Sequence, residues 1–226
     1  MSASCRRGLF ITFEGVDGVG KTTQAQRLRD YLSAQGLTVV MTREPGGTPL
    51  GEAIRRLLLD PSAPHIGKRA EALLYSADRA EHVADVIRPA LERGECVISD
   101  RYTDSFVGYQ GGGRELSRRD IERLNEWATD GLQPDRTYLL DMAPTAKYKY
   151  LEKTGHRCFA VSRETDRLEA EPNPFQNRAR QVFLDLADHH PDRIAVIDAS
   201  RGIDEVWSAI RTDVDALLAT RKIGSR

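Results

Sequence analysis

The sequence predicts an α/β fold: a five-stranded parallel sheet flanked by helices, with one lid segment. Three observations carry that reading. Short β-branched apolar runs alternate with longer amphipathic stretches along the 226 residues. Each run is short and apolar throughout, as a strand covered on both faces requires. A glycine cluster, Gly15 to Gly20, joins the first such run directly to a helical pattern. Strand–helix alternation of this kind implies parallel pairing with right-handed crossovers.

Taken in order, the predicted strands are Leu9–Glu14, Leu37–Thr42, Glu95–Ser99, Thr137–Asp141 and Ile194–Ile197. The predicted helices are Thr22–Ser33, Leu50–Leu59, Ala70–Arg93, Arg118–Trp127, Asn177–His189 and Ile203–Leu218. In the third helix Leu73, Leu74, Ala77, Ala80, Ala84 and Ile87 recur at roughly helical spacing. No internal repeat or low-complexity linker divides the chain, so residues 1–226 are expected to form a single domain. Lys147–Pro174 stands apart: it is rich in charge, lacks an apolar face and carries Arg157, Arg163 and Arg167. Two readings stay open for it, a polar surface excursion or a lid that closes over a charged substrate.

Bulk properties exclude several classes. Lys plus Arg total 33 against 34 Asp plus Glu, a formal charge of -1 that gives no global reason for nucleic-acid or membrane binding. Met1–Gly8 lacks the apolar stretch of a secretory signal, and Leu9–Phe13 is too short to span a bilayer. Cys5, Cys96 and Cys158 match neither a disulfide framework nor a metal-ligand spacing, which points to reduced thiols in a cytoplasmic protein.

The chemistry begins at Gly15-Val16-Asp17-Gly18-Val19-Gly20-Lys21-Thr22, the Gly-x-x-x-x-Gly-Lys-Thr pattern of a P-loop, followed by Thr23. Its glycines let successive N–H groups converge on one oxyanion, and the helix behind adds its positive end. Lys21 is placed to reach the β- and γ-phosphates of ATP, and the Thr22 hydroxyl to ligate Mg²⁺. The Asn-Lys-x-Asp run suited to guanine is absent. Asp100 closes the third strand at the edge where an open α/β sheet binds ligands; there it would hold Mg²⁺ or orient an arginine.

The acceptor is narrowed by Arg43 and Arg101, which follow two strand ends. Guanidinium forks match phosphate oxygens, so an anionic nucleoside monophosphate fits better than a nucleoside hydroxyl, which would need a base. Tyr75 and Tyr109 offer aromatic faces for a base or sugar, and Tyr109-Gln110-Gly111-Gly112-Gly113-Arg114 reads as an aromatic, an amide and a flexible turn.

In sequence order these elements resemble the thymidylate kinase family of the bacterial type, from about Gly8 to Ile210. The resemblance rests on Phe13–Thr23, Thr42-Arg-Glu-Pro-Gly-Gly-Thr-Pro-Leu50, Asp100-Arg-Tyr-Thr-Asp-Ser105 and Tyr109–Gly113, with Asp166–Glu169 and Val196–Ser200 in support. It implies the P-loop nucleoside-monophosphate-kinase fold and transfer of the ATP γ-phosphoryl group to dTMP, with Mg²⁺, for dTTP biosynthesis. It further implies a cytoplasmic homodimer with small-molecule substrates. Carried over residue by residue, Arg43 and Arg101 hold the acceptor phosphate, Tyr75 stacks on thymine and Arg79 lies near a base carbonyl. Tyr109 crowds the sugar 2′ position, Gln110 lies near the base, Ser105 is among the substrate-binding residues, and Asp17 sits near the 3′-hydroxyl and Arg43. Tyr75 stands where phenylalanine is usual, and Phe106 at a base-contacting position commonly held by a small polar residue. Gly18 occupies the place of a catalytic arginine in one branch of the family, which implies a lid arginine instead: Arg167 first, Arg163 second.

Overall fold

The structure, a computed structural model, describes residues 7–60, 62–143, 167–168 and 171–221. Five parallel strands, β1 (Phe10–Glu14), β2 (Val39–Arg43), β3 (Cys96–Asp100), β4 (Arg136–Asp141) and β5 (Ile194–Asp198), lie in the order β2-β3-β1-β4-β5. All five predicted strands are present, displaced by at most two residues at an end. β1 is central because it is wholly buried, with Ile11 opposite Ile98 on one side and Arg136 on the other.

Alternation along β1 divides the core. Ile11 and Phe13 face α1 (Lys21–Ala34) and α8 (Ile203–Arg221), meeting Leu28, Leu32, Ile210 and Val214. Phe10 points the other way, into Val83, Ile87, Leu91 and Tyr102. Each such side chain removed from water contributes roughly 1.5–3 kcal/mol.

That second face is covered by a run of helices: α2 (Pro49–Leu59), α3 (Lys68–His82), α4 (Arg88–Glu92), α5 (Thr103–Phe106), α6 (Arg118–Thr129) and α7 (Asn173–His189). The single helix expected over Ala70–Arg93 is a continuous run, α3 into α4, with a widened π-helical turn at Val83–Ile87. Pro89 lies just beyond that turn, has no N–H to donate and would crowd the carbonyl four residues back; the wider turn accommodates it.

The flexible turn expected at Tyr109–Arg114 is corrected. Val107–Gly113 is a second π-helical segment, continuing α5 and packed along α7. Its glycines serve proximity: a Cβ on Gly113 would stand 2.4 Å from the Phe175 ring, and one on Gly112 2.7 Å from Val182. A partly buried pair also anchors α5 to the sheet, since Arg193 donates to both Asp104 oxygens at 2.7 and 2.9 Å. No helix among the described residues is long and apolar enough to cross a membrane.

Candidate active site

The loop after β1 turns on glycines that no other residue replaces cheaply. Gly15 has φ 128° and lies so close to β4 that a Cβ would fall 2.3 Å from the Leu140 carbonyl oxygen; Gly18 and Gly20 also have positive φ. α1 then begins at Lys21 with no side-chain cap and no acidic residue in its first turn, so its N–H groups and positive end are left for an anion. The Lys21 ammonium folds back onto the Val16 carbonyl at 2.8 Å, and burial, with Arg101 adding repulsion, brings its pKa down to about 8. Val19 is a core residue, while Thr23 is half-buried in the first turn.

Thr22 Oγ1 donates to Asp100 Oδ2 at 2.5 Å. A hydroxyl and a carboxylate meeting at the cradle's mouth are hard oxygen donors of the kind that would suit Mg²⁺. Among the described residues no group of three or more His, Cys, Asp or Glu forms a dedicated metal cage.

Arg101 occupies left-handed backbone, φ 75°, a conformation that costs a non-glycine residue about 1–3 kcal/mol. Its surroundings over-determine it: Arg101 N–H donates to Phe13 O at 2.9 Å, Ser99 Oγ to Arg101 O at 2.7 Å, and Tyr102 N–H to Glu14 Oε1 at 2.8 Å. The result aims the guanidinium back across the loop, onto Gly15 O at 3.1 Å, Ser105 Oγ at 2.9 Å, Tyr109 Oη at 3.2 Å and Asp17 Oδ1. Burial opposes charge on Asp17, but Arg101 and Lys21 outweigh it and hold the carboxyl below its usual range. Glu14, wholly buried beneath this group, accepts from Ser105 Oγ as well; burial, then Asp104, raises its pKa to about 7.

These groups border a cavity of about 730 Å³ that continues past Arg101 to Tyr75, Phe106, Tyr109 and Gln110. Tyr75 and Phe106 lie with ring centroids 6.5 Å apart. Arg79 lies at the wall, its guanidinium given to Glu44 at 2.8 Å, Asn125 at 2.9 Å and Tyr102 O at 3.3 Å, and stacked 5.0 Å over Phe106. Arg43 also faces the cavity, half-exposed and paired with Glu52 at 3.0 Å.

The structure thus gathers Asp17, Lys21, Thr22, Asp100, Arg101, Arg43, Tyr75, Arg79, Ser105, Phe106, Tyr109 and Gln110 around one cavity. Arg167 is half-buried away from the cradle, its Nη1 3.4 Å from Pro64 O, although neighbouring Leu168 lines the cavity. Arg163 lies outside the described residues, as does most of the 147–174 segment. Sequence reasoning missed Glu14, Glu44 and Arg55. Arg55 lines the cavity and donates to Pro45 O at 2.8 Å; its spacing of three from Glu52 on one helix was the available signal.

A glycine cradle on a helix N-terminus, with an acidic strand end and an acceptor cleft beside it, defines a P-loop phosphotransferase of the nucleoside-monophosphate-kinase fold. The sequence profile described as thymidylate kinase matches residues 13–210, and the chain belongs to that family. It is 59% identical over 214 residues to a thymidylate kinase of Bifidobacterium longum subsp. infantis, covering 93% of this chain and 88% of that one. It is 50% identical over 212 residues to one of Clavibacter michiganensis subsp. michiganensis, covering 94% and 97%. The solved thymidylate kinase of Ehrlichia chaffeensis superposes with a TM-score of 0.71 at 33% identity, over 92% of this chain and 99% of that one.

Proposed function

We propose that this chain, as one kinase domain, transfers the γ-phosphoryl group of ATP to dTMP, giving ADP and dTDP for dTTP biosynthesis. The observation that carries the reading is the continuity of one cavity from Lys21, Thr22 and Asp100, through Arg101, to the aromatic end at Tyr75 and Phe106. Cradle N–H groups and Lys21 bind the donor phosphates. Arg101 and Arg43 bind the acceptor phosphate and offset its repulsion from ATP, leaving an acceptor oxygen in line with the γ-phosphorus. That oxygen forms the new P–O bond as the bond to the β–γ bridging oxygen breaks. Thr22 and Asp100 would hold Mg²⁺, which supplies charge neutralisation on the β- and γ-oxygens. A lid arginine, Arg167 before Arg163, supplies a further cation in the transition state. Tyr75 stacks on the base, Arg79 and Gln110 face its polar edge, and Tyr109, bonded to Asp17 at 3.1 Å, fills the space a ribose 2′-hydroxyl needs.

An ADP-release assay over dTMP, dUMP, CMP and thymidine tests this. dTMP is expected far ahead, and equal or better turnover of another acceptor sinks the reading.

The chain acts in the cytoplasm as a homodimer, without nucleic-acid or membrane partners. What supports the dimer is an exposed apolar stripe on α3, formed by Ala70, Leu73, Ala77 and Ala80, with Leu73 57% exposed. Small residues at that spacing let two copies of one helix approach closely. Sedimentation should give twice the chain mass, and Leu73→Asp should halve it; a monomer at micromolar concentration overturns the assignment.

A further inference from the structure

Gln110 sits at the aromatic end of the cavity, only 1% exposed, and its side-chain Nε2 donates to Glu71 Oε1 at 2.9 Å. Glu71 belongs to α3, is itself buried and does not line the cavity. Arg114 grips it with two donors, Nε to Oε1 and Nη2 to Oε2, each at 3.0 Å. Arg114 is held in turn by Glu171 and by the face of Phe175, 5.0 Å from its guanidinium carbon.

This arrangement decides which way the Gln110 amide points. A carboxylate in a salt bridge only accepts hydrogen bonds, whereas an amide has a donating end and an accepting end. Turning the amide over would set two acceptor oxygens against each other in a buried place. The nitrogen is therefore committed to Glu71, and the carbonyl oxygen is the edge left for the cavity. An acceptor there suits a pyrimidine that carries a hydrogen on N3, as thymine and uracil do. Cytosine presents a lone pair at N3, and the two acceptors would face one another unpaired.

We propose that Glu71 is a positioning residue for base specificity: by holding the Gln110 amide nitrogen it makes the site select pyrimidines with N3–H and reject cytosine. The inference rests on the reading of dTMP as acceptor with its base at the aromatic end. It adds a residue that never touches substrate.

The test compares kcat/KM for dTMP, dUMP and dCMP in wild type, Glu71→Gln, Gln110→Leu and the double variant. A neutral amide at 71 can donate as well as accept, so Gln110 is freed to turn. The dTMP:dCMP ratio should fall about tenfold or more in Glu71→Gln. The dTMP:dUMP ratio, which the C5 methyl controls, should stay within about twofold. In the Gln110→Leu background Glu71→Gln should shift the dTMP:dCMP ratio no further, because its route to the base is gone. If Glu71→Gln does not fold, Glu71→Asp keeps the charge for Arg114 while withdrawing the carboxylate from Gln110, and should relax the ratio likewise. An unchanged ratio in a folded variant overturns the proposal, as does a shift of equal size in the Gln110→Leu background. If Gln110→Leu itself leaves the wild-type ratio intact, it is the placement of the base beside Gln110 that fails, and the proposal with it.

Discussion

Thr22 Oγ1 and Asp100 Oδ2 stand 2.5 Å apart although 78 residues separate them in the chain, one opening α1 and the other closing β3. In the function proposed for this chain, these two oxygens would hold Mg²⁺. Asp100→Asn replaces an anionic ligand by a neutral one. It should lower kcat about 10²-fold and raise the Mg²⁺ concentration for half-maximal rate. A Mg²⁺ titration that matches wild type removes Asp100 from this role.

Arg101 makes four separate contacts with its guanidinium, to Gly15, Ser105, Tyr109 and Asp17. Lysine keeps the charge but not the fork. Arg101→Lys should therefore reduce kcat/KM for dTMP by about 10²-fold, and Tyr109→Phe, which removes only a hydroxyl, by roughly tenfold. Steady-state kinetics read both, and equal losses would contradict the ranking.

Glu14 predicts a pH dependence of stability. Burial, with Asp104 nearby, lifts its folded pKa from the ordinary 4.5 to about 7. Between those values the folded state binds the proton that the unfolded state has lost, so this group's contribution is full below pH 4.5 and is lost as pH rises through 7. Glu14→Gln carries no such burden. Its melting temperature relative to wild type should climb by several degrees from pH 5 to pH 8. A constant difference across that range shows the carboxyl to be ionised throughout.

Arg167 is expected to deliver the cation that Gly18 cannot. Arg167→Ala should cost kcat about 10²-fold or more with dTMP affinity little changed, and Arg163→Ala less. Full kcat in both variants rejects the lid-arginine assignment.

Fold and cradle were legible in the sequence because their signals are local. Each strand is a contiguous apolar run, and the P-loop is eight consecutive residues whose glycines dictate the backbone. The same locality exposed Asp100 and Arg101, which abut a strand end. The flexible turn expected at Tyr109–Arg114 was misread for a physical reason: three consecutive glycines signal a turn by propensity, whereas here Phe175 and Val182 of α7 leave no room for side chains on Gly113 and Gly112.

What only the tertiary structure decided is which buried charges meet. Glu14 reads as the last residue of a strand and Glu71 as one more acid on a helix, yet Glu14 accepts from Ser105, 91 residues away, and Glu71 from Gln110, 39 away. Arg79 likewise reads as a substrate arginine, and folding gives it Glu44, Asn125 and Tyr102 as partners first. Sequence alone located the glycine cradle, because a P-loop is built from neighbours along the chain. How the acceptor end is oriented depends on hydrogen-bond partners that only packing brings within 3 Å, and no pattern of neighbours encodes them.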